Sequence, residues 1–158
     1  MLAAERSGKL CMLEFVDDRA IKPKLNPMER FYKDEAREDD SPTLQATEAQ
    51  LKSYFDGKLE SFDLPLDFAG TEFQKLVWKR LNRIPYGRTV NYGWIAERID
   101  RTGAARAVGQ ATGSNPISIV VPCHRVIGKD GSLVGYGGKM WRKEWLLKHE
   151  GALKKDKA

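Results

Sequence analysis

Apolar positions recur along the chain in short blocks, and their spacing changes from block to block. Residues 10–16 (LCMLEFV) alternate imperfectly and predict a strand, with the preceding MLAAE segment as its partner. From Thr43 to Phe55, Leu44, Thr47, Leu51, Tyr54 and Phe55 recur at helical spacing, and Gly57 stops the run. Thr71 followed by Gln74 has the form of a capping box, opening a helix whose apolar face is Phe73, Leu76, Val77, Leu81 and Ile84. Pro85 ends it, and PYGR (85–88) reads as a turn. VNYGWIAERI (90–99) predicts a short helix with Asn91 as N-cap. After a DRTG turn (100–103), AARAVGQATGSN (104–115) predicts a second short helix, broken at Asn115-Pro116. The branched run at 117–121 predicts a buried strand ended by Pro122. GKDGSLVGYGGK (128–139) is a glycine-rich loop, and a last amphipathic helix runs from Met140 to His149 with Gly151 as its stop.

Two stretches carry no such period. Residues 26–42 are polar, charged and punctuated by proline, and read as a mobile connection. Residues 62–70 (FDLPLDFAG) read as an extended linker between lobes. The pattern predicts an α+β fold: a small N-terminal α/β lobe (1–67), a C-terminal mainly helical lobe (68–152) and a basic tail (153–158). In the second lobe, two short helices joined by a glycine-containing turn fit a helix-turn-helix.

Charge adds direction. The chain has 158 residues and a formal net charge of +5. Residues 29–40 are acidic, whereas 75–106 hold Lys75, Lys79, Arg80, Arg83, Arg88, Arg98, Arg101 and Arg106 against Glu97 and Asp100. Such segregation is the footprint of a nucleic-acid partner, and equally that of a solvated basic face. No apolar run approaches the roughly 18 residues of a membrane helix. The N-terminus has no signal-peptide pattern, so a cytoplasmic location and no membrane partner are expected. Two cysteines and two histidines lack CxxC or HxxxH spacing, which argues against a disulfide framework or a metal.

The chemistry concentrates at PCHRVIG (122–128). Taken alone, Cys123 is either a small buried hydrophobe, as most free cysteines are, or a nucleophile. Pro122 puts the thiol at a strand end, and His124 and Arg125 are not core material. Imidazole or cationic groups near a thiol favour the reactive thiolate. Arg106 stands alone among Ala104, Ala105, Ala107, Val108 and Gly109. It is either a surface arginine or a single long cation carried by a helix that can press into a nucleic-acid groove. Tyr92 and Tyr136 are packing residues or hydroxyl donors to a base.

Taken in order, GTEFQKLVW (70–78), IPYGRTVNYG (84–93), AARAVGQA (104–111), PCHRVIG (122–128) and KEWLLKHEG (143–151) closely resemble the O6-alkylguanine-DNA alkyltransferases, also called methylated-DNA–protein-cysteine methyltransferases. The resemblance covers 70–151 closely and 43–69 more loosely. It implies DNA repair by a single-turnover protein that needs neither cofactor nor metal. The partner it implies is double-stranded DNA containing O6-alkylguanine, and less so O4-alkylthymine, bound by a monomer. In family terms Cys123 is the acceptor, His124 deprotonates it through a bridging water, and Glu150 orients His124. Tyr92 donates to guanine N3. The carbonyls of Cys123 and Val126 accept from the exocyclic amine, Tyr136 and Gly137 border the O6 side, and Asn115 braces the turn. Arg106 fills the space of the flipped base, and Ala105, Ala107, Gly109 and Thr89 belong to the DNA face. The chain departs from the family pattern at Thr112, Ser118, Trp94 and Trp141, and its first strand is short.

Other readings remain at this stage. A lesion-binding relative without chemistry would lack the acceptor cysteine that is present here. A helix-turn-helix regulator leaves Cys123, His124 and the glycine-rich loop unexplained. A cysteine hydrolase needs a direct Cys–His hydrogen bond, which adjacent residues rarely make, and an oxyanion hole.

Overall fold

The computed structural model describes residues 1–17 and 21–153; most of the expected basic tail lies outside them. The chain divides into two compact units, Met1–Thr71 with Pro116–Val120, and Glu72–Asn115 with Val121–Ala158.

In the first unit β1 (Leu2–Arg6) and β2 (Lys9–Glu14) form an antiparallel hairpin, with Arg6 opposite Lys9 and Leu2 opposite Glu14. Its two turn residues, Ser7 and Gly8, both have positive φ (50° and 76°), as the tightest hairpin turns require. Leu10, Cys11, Met12 and Leu13 are all buried, so β2 is covered on both faces. That explains its imperfect alternation. The FDLPLDFAG segment is not a free linker. Leu10 N–H donates to the Pro65 carbonyl at 2.8 Å and Asp67 N–H donates to the Leu10 carbonyl at 2.9 Å, which satisfies one part of the strand edge. Further along, Leu13 N–H donates to Pro116 O at 2.9 Å and Ser118 N–H to Leu13 O at 2.8 Å.

The expected strand at 117–121 is therefore one bridge, at Ile117, followed by a turn in which Ile119 has φ +70°. Ile117, Ile119 and Val120 are buried. Their apolar character reflects enclosure of irregular backbone, which a short hydrophobic run does not distinguish from a ladder. Residues 26–42 also differ from expectation, because α1 spans Lys22–Tyr32. Pro23 lies in its first turn, where a missing N–H costs nothing, and Pro27 removes one interior bond. At its end Tyr32 donates its hydroxyl to Asp67 Oδ2 at 2.9 Å. α2 (Pro42–Phe55) begins at Ser41, whose Oγ accepts from Leu44 N–H, and buries Thr47 and Tyr54.

The second unit opens with α3 (Glu72–Leu81), which buries Val77, Trp78 and Leu81. Leu76 was expected on that face and is exposed instead; Trp78 takes the interior place and donates its indole N–H to Ala111 O at 2.7 Å. β3 (Val90–Asn91) and β4 (Val126–Ile127) pair in parallel, Val90 beside Val126. Asn91 then caps α4 (Tyr92–Arg98), its Oδ1 accepting from Trp94 N–H at 2.9 Å. Such a cap contributes ~1 kcal/mol. A turn with positive φ at Asp100 and Gly103 leads into α5 (Ala105–Gly113), and α6 (Met140–His149) buries Lys143, Leu146 and Leu147. The architecture is mixed α and β. No helix among the described residues is long and apolar enough to cross a membrane.

Candidate active site

Pro122 leads into a single 3-10 turn, Cys123–Arg125, that feeds directly into β4. All three residues of the turn are buried, as is Glu150 just past α6. Buried polar side chains need partners, and these partner one another. Arg125 Nε donates to Glu150 Oε2 at 2.8 Å and Nη2 donates to Oε1 at 3.0 Å, while Nη1 reaches the Ile84 carbonyl. His124 Nε2 lies 2.7 Å from Glu150 Oε1. Burial pushes the Glu150 carboxyl up, but the hydrogen bonds from His124 and Arg125, with the guanidinium charge, outweigh it and hold the group at about 2.

That ionised carboxylate fixes the tautomer of His124. A carboxylate only accepts, so Nε2 must carry the proton and Nδ1 keeps its lone pair. Nδ1 is buried and has no hydrogen-bond partner. Burial, opposed by Glu150, leaves the His124 pKa below the ordinary histidine value, so the ring is neutral near pH 7. A neutral imidazole, oriented from one nitrogen and open at the other, is a base.

Cys123 is 7% exposed, and its Sγ accepts from Asn115 Nδ2 at 3.2 Å. The same amide nitrogen donates to Val121 O at 2.9 Å, so Asn115 ties the end of α5 to the chain entering the turn. Lys143 is fully buried, and its Nζ donates to the Val126 and Val134 carbonyls at 2.5 and 2.6 Å. Burial lowers its pKa to about 8 against the opposing influence of Cys123. The Val126 carbonyl thus already has one donor, with a second lone pair left. Tyr92 donates a long hydrogen bond, 3.5 Å, to the Val134 carbonyl. Burial, and then the nearby Cys123, raise the Tyr92 pKa, so it remains a donor. Glycine suits position 135 beside it, where φ is +50° and a Cβ would lie 3.2 Å from the Tyr92 hydroxyl; a Cβ on Gly109 would make only ordinary contact with the Tyr92 ring, at 3.7 Å.

The structure therefore pairs Cys123 with Asn115 and, from the next residue in the turn, His124 with Glu150, and it connects Tyr92 with Val126 through Lys143 and Val134. Tyr136 is half-buried and Gly137 exposed on the glycine-rich loop. Arg106 and Ala107 are exposed on α5, Ala105 and Gly109 are half-buried there, and Thr89 is half-buried just before β3. Arg106, Ala105, Ala107 and Thr89 form no part of the hydrogen-bonded cluster.

Two members of the cluster had no role assigned from sequence. Arg125 was noticed only as a neighbour of Cys123. Lys143 was overlooked, although it lies three and four positions before Leu146 and Leu147 on the face of α6 that packs inward. A cleft of about 1160 Å³ in the first unit, lined by Cys11, Met28, Tyr32 and several exposed charges, holds none of the candidate site residues.

Comparison with known proteins identifies the family. Residues 72–152 match the model for the 6-O-methylguanine DNA methyltransferase DNA binding domain, and residues 1–68 match that for the ribonuclease-like domain of the same family. The chain is 59% identical over 105 residues to a methylated-DNA–protein-cysteine methyltransferase of Shigella flexneri, a match covering 66% of this chain and 61% of that protein. A relative of the same name from Mycolicibacterium paratuberculosis is 61% identical over 98 residues, covering 62% of this chain and 59% of that one. These matches span about three-fifths of each curated relative. Among solved structures, Mycobacterium tuberculosis OGT in complex with DNA superposes with a TM-score of 0.80 at 43% identity, over 95% of this chain and 85% of that one. The O6-methylguanine-DNA methyltransferase of Pyrococcus kodakaraensis strain KOD1 gives 0.68 at 31% identity, over 92% and 88%. Two adjoining family models that together account for nearly all of the sequence leave one conclusion: the chain belongs to the 6-O-methylguanine DNA methyltransferase family.

Proposed function

We propose that this chain repairs double-stranded DNA by moving the alkyl group of O6-alkylguanine, and less readily that of O4-alkylthymine, onto Cys123 Sγ, once per molecule. The observation that carries the reading is the buried His124. Its Nε2 is held by an ionised Glu150 and its Nδ1 is left with an unused lone pair, one residue from a thiol that accepts a hydrogen bond from Asn115.

In this reading His124 Nδ1 takes the Cys123 proton through a bridging water, and Glu150 with Arg125 keeps the ring neutral and oriented. The thiolate attacks the alkyl carbon. The S–C bond forms as the C–O6 bond breaks, and the electron pair goes to the guanine. Tyr92 supplies a proton or hydrogen bond to N3, which makes the base a better leaving group. The thioether does not revert, which limits each molecule to one event. The target atom is unreachable inside the base stack, so the base must be extruded. Arg106 then fills the vacated space, and the small residues Ala105, Ala107 and Gly109, with Thr89, allow close approach to the duplex. The Cys123 and Val126 carbonyls, Tyr136 and Gly137 frame the pocket, and Asn115 braces it. The C-terminal lobe carries the chemistry. A monomer in a reducing, cytoplasmic setting suits a reaction that needs a free thiol.

The test is mass spectrometry of the Cys123 peptide after incubation with an excess of duplex carrying O6-methylguanine. One added methyl per protein is expected. An unmodified peptide, with lesion DNA still bound, would favour a damage-binding role without transfer.

A further inference from the structure

The facing surfaces of α3 and α4 carry charges that the transfer chemistry does not use. The Arg80 and Arg98 guanidiniums both lie over the Trp94 indole, 4.6 and 3.9 Å from the ring centroid. Burial, and then the neighbouring charges of Arg98 and Arg83, lower the pKa of Arg80. Three cations are thus gathered where they repel one another. None of them forms an ion pair with a carboxylate among the described residues, and Arg80 Nε is buried without a hydrogen-bond partner. Three other helix cations are neutralised locally, Lys52 by Glu48, Lys75 by Glu72 and Lys148 by Glu144, whereas Arg80 and Arg98 share one indole instead.

Stacking on an indole attracts the cation to the ring face and orders the guanidinium. Ordered guanidiniums without an internal counter-charge fit a tetrahedral anion with several acceptor oxygens, because each fork can donate to two of them. The surroundings indicate which anion. α4 is the first helix of the α4–α5 pair, and in a helix-turn-helix the first helix crosses the sugar-phosphate backbone.

We propose that Arg80, Trp94 and Arg98 form a docking site for a backbone phosphate of the DNA duplex engaged by α4 and α5, extending contact beyond the lesion. The two arginines hold the phosphate and Trp94 positions them. The identity of the duplex rests on the repair reading above; the site itself rests on the α3–α4 geometry.

The test is binding of undamaged fluorescent duplex DNA across a series of NaCl concentrations. Each phosphate contact contributes about 0.9 to the slope of log affinity against log salt. The double variant Arg80→Gln/Arg98→Gln is expected to flatten that slope by about 1 and to weaken binding several-fold at low salt. Arg98 is exposed, so Arg98→Gln alone keeps the fold and should move the slope in the same direction. Trp94→Leu should weaken binding with less change in slope, because the charges remain but lose their order. Lys9→Gln, an exposed cation on β2, is the charge control and should leave the slope unchanged. An unchanged slope in the arginine variants would overturn the proposal, as would an equal change in Lys9→Gln. Transfer from the free base O6-benzylguanine by the wild-type chain needs no duplex. It reports separately on the alkyl-transfer reading, so the two ideas can fail independently.

Discussion

Cys11 and Cys123 are both buried thiols, and their surroundings are opposite in sign. Cys11, on β2, is 1% exposed; its Sγ donates to the Ala4 carbonyl at 3.4 Å and meets Met28 Sδ at 3.3 Å. Burial, with Asp67 and Glu5 adding to it, pushes its pKa up to about 11. Those neighbours accept or carry negative charge, so they suit S–H and penalise S⁻. Around Cys123 the pattern reverses. Asn115 donates to the sulfur, Lys143 lies close enough for the two charges to influence each other, and His124 offers a proton acceptor one residue away. Burial is common to both, and at Cys11 it is the largest cause of the raised pKa; it is the neighbouring groups that set the two sites apart. What distinguishes a nucleophile from a packed thiol is whether the surrounding groups favour the anion.

The sharpest way to break this contrast is to remove each sulfur in turn. Cys123→Ala is expected to abolish transfer, a loss on the order of 10⁶-fold if it resembles removal of other catalytic nucleophiles. Binding to lesion DNA should survive. Intact-protein mass spectrometry after incubation with methylated duplex reads the first outcome, and residual label on the variant would move the acceptor elsewhere.

Next in size come the groups behind the imidazole. Glu150→Gln removes the charge that orients His124 and should slow transfer by ~10²-fold or more, the usual range for a lost acid–base contribution. Arg125→Met should act mainly on stability. It leaves Glu150 buried without its cation, a change that costs ~3–5 kcal/mol. Calorimetry and single-turnover rates separate the two effects; a stable Arg125→Met would show that the Glu150 charge is compensated elsewhere. The acid limits follow from the same cluster. His124 is held below its ordinary value of 6.5, so the transfer rate should persist to a lower pH than a solvent-exposed histidine would allow. For stability the carboxyl sets the sign. The unfolded chain binds its proton near 4.5 and the folded chain only near 2. The Glu150 contribution is therefore complete above about 4.5 and is lost as pH falls towards 2. In Glu150→Gln that part of the acid unfolding curve should flatten.

Asn115→Ala is a smaller perturbation of the same site. It removes one donor from the Cys123 sulfur, and a hydrogen bond to a charged group contributes ~1.5–3 kcal/mol. Transfer near pH 7 should slow by at least ~10-fold and recover at higher pH as the thiol ionises without help. A defect that persists at high pH would mean that Asn115 acts through the shape of the turn, by way of Val121, and not through the sulfur.

Much of this site was legible in the sequence, because its parts lie in short, unusual strings. A thiol, an imidazole and a guanidinium directly after a buried apolar run mark a place where polar groups must partner one another; the expectation that His124 and Arg125 lie outside the core was wrong, because both are buried and both are paired with Glu150. The capping asparagine before Tyr92 placed that hydroxyl at a helix start. The hairpin, α2, α4 and α5 followed from period and punctuation. What could not be read depended on long-range pairing. The chain near Leu66 and Ile117 resembles a linker and a strand until β2 supplies the edge that it covers. α1 was hidden by two prolines that the local pattern treats as breakers, although one sits where a helix tolerates it. The Arg125–Glu150 ion pair joins positions 25 residues apart, and nothing local marks them as partners. Lys143 carries no local mark of its own, because only the fold shows two carbonyls converging on it.

The smallest expected effect lies at the other sulfur. Cys11→Ala removes one heavy atom from a tightly enclosed position on β2. The cost is that of a methyl-sized cavity, ~1 kcal/mol, and should appear as a slightly lower melting temperature. Transfer from O6-benzylguanine should match the wild type, because a thiol held protonated among acceptors supplies neither nucleophile nor charge. Iodoacetamide gives the complementary measurement: the native protein should be labelled at Cys123 and at Cys11 only after unfolding. A Cys11→Ala variant that slowed transfer as much as Asn115→Ala, with its melting temperature unchanged, would mean that Cys11 takes part in the reaction after all.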